Sequence, residues 1–125
     1  MHDFLVWVYI FNAVLLIVHE IDSAYWQEWK LFRLPGGLTL FLCLHIPLAF
    51  VVLYGLLLVY QNVFAGLIIS LILGLAGVFA FSIHTVFIWR GHTEFKVPVS
   101  VAILILTLVF SLIQLAATAY LLFTR

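Results

Sequence analysis

Apolar positions along this chain run together far more than they alternate. Phe4 to about His19, Leu38 to Tyr60, Val63 to Trp89 and Val97 to Phe123 are long stretches with few polar interruptions. A helix needs about 20 mostly apolar residues to cross a hydrocarbon core of ~30 Å, and each run approaches or exceeds that length. The breaks between them are polar and mostly brief. Glu20 to Gly37 closes on Leu34-Pro35-Gly36-Gly37, a helix stop and turn; Gln61-Asn62 joins the second and third runs; Arg90 to Lys96, with Gly91 as breaker, joins the third and fourth. Short links make consecutive helices antiparallel neighbours. The pattern therefore predicts an all-α fold, a four-helix transmembrane bundle in up-down-up-down order, as a single integral membrane domain over residues 1–125. The first run has neither a basic leading segment nor a small-residue cleavage site before His19-Glu20, so it is expected to stay as a span.

Composition narrows the function classes. Hydrophobic residues make up 67% of the 125 positions and charged residues 8%, with five basic and five acidic side chains. That is too little charge to cover the surface of a water-soluble domain, and too apolar a chain to stay disordered. A soluble enzyme and a nucleic-acid binder are excluded. The lone Cys43 rules out an intrachain disulfide or a cysteine zinc cluster, and the zero net charge argues for no polyanionic partner. Expected partners are membrane lipids, a second copy of the chain, or another membrane subunit.

Residues 20–33 combine charges with Tyr25, Trp26, Trp29 and Phe32 and contain neither proline nor glycine. This mixture suits an interfacial aromatic segment, acting as an anchoring belt or as a lid over a site. Threading the spans places Lys30, Arg33, Arg90 and Lys96 at one membrane face, against Arg125 at the other. The positive-inside rule makes the rich face cytoplasmic. In a bacterial inner membrane both termini would then be periplasmic.

The same face collects Glu20, Asp22, Glu28 and Glu94 with His19, His45, His84 and His92. Ionisable groups in spans are costly and turn toward the bundle interior or a partner. Helical spacing supports an inward direction: Asn12, His19, Ser23 and Trp26 share one stripe, Ser70, Gly74, Gly77, Ala80 and His84 another, and Ser100, Thr107, Ser111, Gln114 and Thr118 a third. Pro47, two residues after His45, is expected to kink its helix. Imidazoles and carboxylates from different helices at one end of a bundle are ligands for a divalent transition metal, zinc or iron first. The candidate ligands are His19, Glu20, His45, His84 and His92, with Glu20 and Asp22 as catalytic proton carriers for hydrolysis or oxidation of a lipid-soluble substrate. Haem b held by His45 and His84 is an alternative cofactor, and a proton relay along the third stripe an alternative role. The competing class is a non-enzymatic lipid or small-ligand binder, or an accessory subunit docking through the small residues Gly66, Ser70, Gly74 and Gly77.

The run from His19-Glu20-Ile21-Asp22-Ser23-Ala24-Tyr25-Trp26 to Leu34-Pro35-Gly36-Gly37 resembles a family of small, uncharacterised bacterial integral membrane proteins. These carry a His-Glu-x-Asp-x-Ala-Tyr-Trp block after the first span. The segment is also similar to membrane domains named for a His-x-x-Glu-Glu motif, although His19-Glu20-Ile21-Asp22-Ser23 lacks the second glutamate. What the resemblance implies is a location: His19 to Glu28 is where such a family would carry its site.

Overall fold

A computed structural model describes residues 1–91 and 97–125. It contains α1 (His2–Tyr25), the single-turn α2 (Glu28–Leu31), α3 (Gly37–Tyr60), α4 (Phe64–Trp89) and α5 (Pro98–Thr124). The four long helices are each long and apolar enough to span a bilayer, as the chain of an integral membrane protein. They pack in the ring order α1, α3, α4, α5, with α1 also touching α4 across the centre. Both outer ends of the chain meet the same turn. The His2 side chain lies 2.7 Å from the Val59 carbonyl, and Arg125 donates to the Asn62 carbonyl, so the up-down-up-down order is seen directly.

Local chemistry sets the boundaries. α1 continues past His19, where the apolar run stops, because a helix ends when its backbone bonds end and not where lipid does. Its exit is the left-handed Gln27 (φ 56°), which turns the chain back into α2. For a residue with a side chain that conformation costs roughly 1–2 kcal/mol, so tertiary contacts must hold it. Gly36, at φ 89°, precedes α3, and Pro98 opens α5 where its missing N–H is not needed. The α3–α4 turn uses Asn62 in the left-handed region, with its N–H donating to the Val59 carbonyl at 3.0 Å. Gly66 sits beneath that turn, where a Cβ would land on the backbone of Leu58 and Val59.

In lipid, helices gain nothing from hiding apolar groups from water, so close packing and polar contacts hold them together. The molecule is arranged accordingly: Ile46 and Phe50 of α3 are 71% and 67% exposed, while Asn12, Ser70, Thr107, Ser111, Gln114 and Thr118 are wholly buried. Asn12 Nδ2 donates to Gln114 Oε1 (2.9 Å) and Ser111 Oγ (3.1 Å). Gln114 Nε2 donates onward to the Ser70 carbonyl (2.9 Å) and Ser70 Oγ (3.1 Å), and Ser70 Oγ meets Thr118 Oγ1 at 2.8 Å. This web ties α1, α4 and α5 into one unit. The small residues of α4 are part of it: Gly74 and Gly77 lie against Leu115 and Ser111 of α5, so this face is used inside the bundle. An apolar cluster of Leu5, Tyr9, Val59, Leu67 and Ala117 fills the end near the termini. α3 contributes least, burying only Gly55 and Val59.

Candidate metal centre

At the opposite end, α1 carries His19, Glu20, Asp22 and Ser23 in its last turns, and α4 carries His84 five residues before its end. The α1 and α4 stripes converge as the spacing predicts. His19 and His84 are each 1% exposed, and their rings meet edge to face with centroids 4.5 Å apart. The third member comes from α2. The turn at Gln27 brings Glu28 back into the bundle, where its Oε1 lies 2.9 Å from His84 Nε2. Trp29 packing on Phe41 and Phe32 on Phe87 fasten the segment down, so residues 26–33 form a lid with Lys30 and Arg33 exposed on its outside.

His19, Glu28 and His84 each present one ligand atom, all within 4.8 Å of one another, and the group could hold a metal ion. Two imidazoles and one carboxylate are the donor set of His₂Glu zinc sites and of the facial triad that binds ferrous iron. Ligand bonds of ~2.0–2.2 Å require the atoms to draw in slightly around an ion. His84 Nδ1–H donates to the Ala80 carbonyl at 2.8 Å, which directs Nε2 at the cluster, where an ion would take the place of the proton it shares with Glu28. Ser23 Oγ lies 3.5 Å from His19 Nε2 and hydrogen-bonds Glu28, supporting two ligands at once. Burial pushes the Glu28 carboxyl up, but the His84 hydrogen bond, attraction to His84 and His19, and the Ser23 hydroxyl outweigh it and hold Glu28 below the usual carboxylate range. The carboxylate is therefore ionised at neutral pH, as a ligand must be.

A profile of a family of unknown function matches residues 5–121, which hold every element just described except the extreme ends. The chain belongs to DUF6713. No curated protein and no solved structure matches it.

The remaining candidates of this DUF6713 protein are arranged differently from the single convergent group expected. Glu20 points to the α3 side of α1, and its Oε2 meets His45 Nε2 at 2.5 Å, forming a second, half-buried pair. His45 Nδ1 donates to the Phe41 carbonyl at 2.6 Å. Nε2 of His45 thus faces Glu20 and Nε2 of His84 faces Glu28, while each Nδ1 bonds a carbonyl of its own helix. Asp22 Oδ1 accepts from Trp26 Nε1 and from Ser100 Oγ, both at 3.0 Å, and so locks the end of α1 to the start of α5. His92, with Glu94 and Lys96, lies outside the described residues. The member of the cluster that was not among the expected ligands is Glu28. It was legible as one of several carboxylates at this face, but nothing in Tyr25-Trp26-Gln27-Glu28 announces a reversal of the chain.

Proposed function

We propose that this DUF6713 protein is a membrane metalloprotein in which His19, His84 and Glu28 bind a divalent transition metal, zinc or iron, at the charged end of the bundle. The observation that carries the reading is the burial of three ligand-type side chains from three separate elements at one point. A buried carboxylate beside two imidazoles is expensive to maintain unless the groups serve one another or a cation. A three-ligand set leaves coordination positions for water and substrate. An ion there would lower the pKa of bound water to about 7, which suits attack on a lipid-soluble substrate. Proton transfer is assigned to Glu20, backed by His45, because Asp22 uses its Oδ1 on Trp26 and Ser100. We further propose a bacterial inner-membrane location with both termini periplasmic, supported by Lys30, Arg33 and Arg90 at the lid end against Arg125 at the other. A phosphatase fused after Arg125 should be active only in that orientation.

Elemental analysis with an absorption spectrum, on protein purified in detergent without chelator, tests the centre. Near-stoichiometric zinc or iron in the wild type, lost in His19→Ala, His84→Ala and Glu28→Ala and retained in His45→Ala, is the expected result. Folded wild-type protein without metal would overturn the reading, and a Soret band would transfer it to haem.

A further inference from the structure

Between α1 and α3, against α4, lies a cavity of about 350 Å³. Leu16, Ile21, Leu48, Ala49, Leu73 and Ala76 are typical of its walls, and among the described residues Glu20 and His45 are the only polar side chains that line it. On α1 it extends from Ala13 to Ala24, about 16 Å at ~1.5 Å per residue, so it is elongated along the helices. Ile17, Ile21, Leu42 and Leu48 belong both to its lining and to the exposed outer surface, which places its opening on the lipid side between α1 and α3. A smaller cavity of about 140 Å³ lies beneath the lid and is lined by Glu28, Trp29 and Phe32. Phe41 and His45 line both.

We infer that the larger cavity draws a single-chain lipophile from the bilayer and holds its neutral head, a hydroxyl, against the Glu20–His45 pair. The volume favours one chain. An engineered apolar cavity of ~150 Å³ holds benzene, so one of about 350 Å³ takes on the order of a dozen heavy atoms, the bulk of one chain. The polar pair selects the head. A carboxylate or phosphate would add negative charge beside Glu20 and near Glu28 in a medium of low dielectric, where such repulsion is severe. An ammonium would carry a far larger desolvation cost than a hydroxyl into a cavity walled almost wholly by apolar side chains. A hydroxyl can donate to Glu20 Oε1, which makes no protein hydrogen bond among the described residues, and leave the pair intact. Delivery of that head past His45 to the metal rests on the proposed centre, whereas binding in the cavity does not.

The test uses full-length protein in phosphatidylcholine nanodiscs and a diazirine-bearing long-chain alcohol as photoprobe. Labelling should saturate, map to residues 13–24 and 41–52, and be competed by dodecanol about tenfold better than by dodecane or dodecanoate. Ala49→Phe and Ala76→Phe, on different helices, fill the cavity and should each cut labelling about tenfold while bound metal is retained. Glu20→Leu should erase the advantage of dodecanol over dodecane. Labelling that does not saturate, that spreads over the whole lipid-facing surface, or that dodecane and dodecanoate compete equally well would overturn the inference. Metal content measured on the same samples separates that failure from failure of the metal reading.

Discussion

Replacing Gln114 with leucine removes the centre of the polar web while keeping comparable bulk. Gln114 is fully buried and makes three side-chain hydrogen bonds, one accepted from Asn12 and two donated to Ser70. Interhelical hydrogen bonds in membrane proteins contribute on average ~0.6 kcal/mol, with a maximum near 1.7, so the three together amount to roughly 2 kcal/mol. The partners are not abandoned: Asn12 keeps Ser111, and Ser70 Oγ keeps Thr118, so no large desolvation penalty is added. The cost should therefore stay near 2 kcal/mol. Equilibrium unfolding in mixed micelles, titrated with SDS and followed by helical circular dichroism, reads this difference. Asn12→Leu in the same assay should couple to Gln114→Leu, because the two share the 2.9 Å bond. Metal content should not change, since Asn12 lies seven residues, about 10 Å, from His19 along α1. A destabilisation below about 0.5 kcal/mol with no coupling to Asn12 would show that the web does not hold the bundle, and the packing argument would fail.

Three further outcomes are expected. Ser23→Ala removes a group that supports both His19 and Glu28, and should weaken metal affinity about 10–100-fold in a competitive chelator titration while leaving the fold intact. Glu28 has a folded-state pKa below its ordinary value of 4.5, so its contribution to stability is present above that value and is lost as pH falls through the lowered one. The thermal midpoint of metal-free protein should thus drop on acidification below about pH 4.5, and Glu28→Gln should flatten that drop; identical profiles would contradict the His84–Glu28 contact. Gly66→Val places side-chain atoms on the backbone of Leu58 and Val59 and should destabilise by at least 1–3 kcal/mol, roughly, in the micelle assay, whereas Gly91→Ala, with open space around it, should show only the smaller effect of its positive φ.

Much of the bundle was legible because helical geometry converts spacing into direction. Asn12, His19 and Ser23 on α1, Ser70, Gly74, Gly77 and His84 on α4, and Ser100, Thr107, Ser111, Gln114 and Thr118 on α5 are all buried, as their shared stripes require, while Trp26 and Ala80 of the same stripes are half-buried. The end of α1 was harder to place. Charge at His19-Glu20 marks where hydrophobicity falls, yet the backbone ladder runs on to Tyr25. The choice between belt and lid was not available from composition, since both need aromatic rings and charges together.

The sequence by itself determined the membrane setting, the number and order of the spanning helices and the inward faces of α1, α4 and α5, because these follow from run length, link length and the 3.6-residue repeat. Only the tertiary structure decided which inward groups meet. Adjacent residues of α1 diverge by about 100° around the helix, which sends His19 toward His84 and Glu20 toward His45. The reversal at Gln27 brings in Glu28 through a left-handed backbone that contacts with α3 and α4 hold in place and that no local glycine signals.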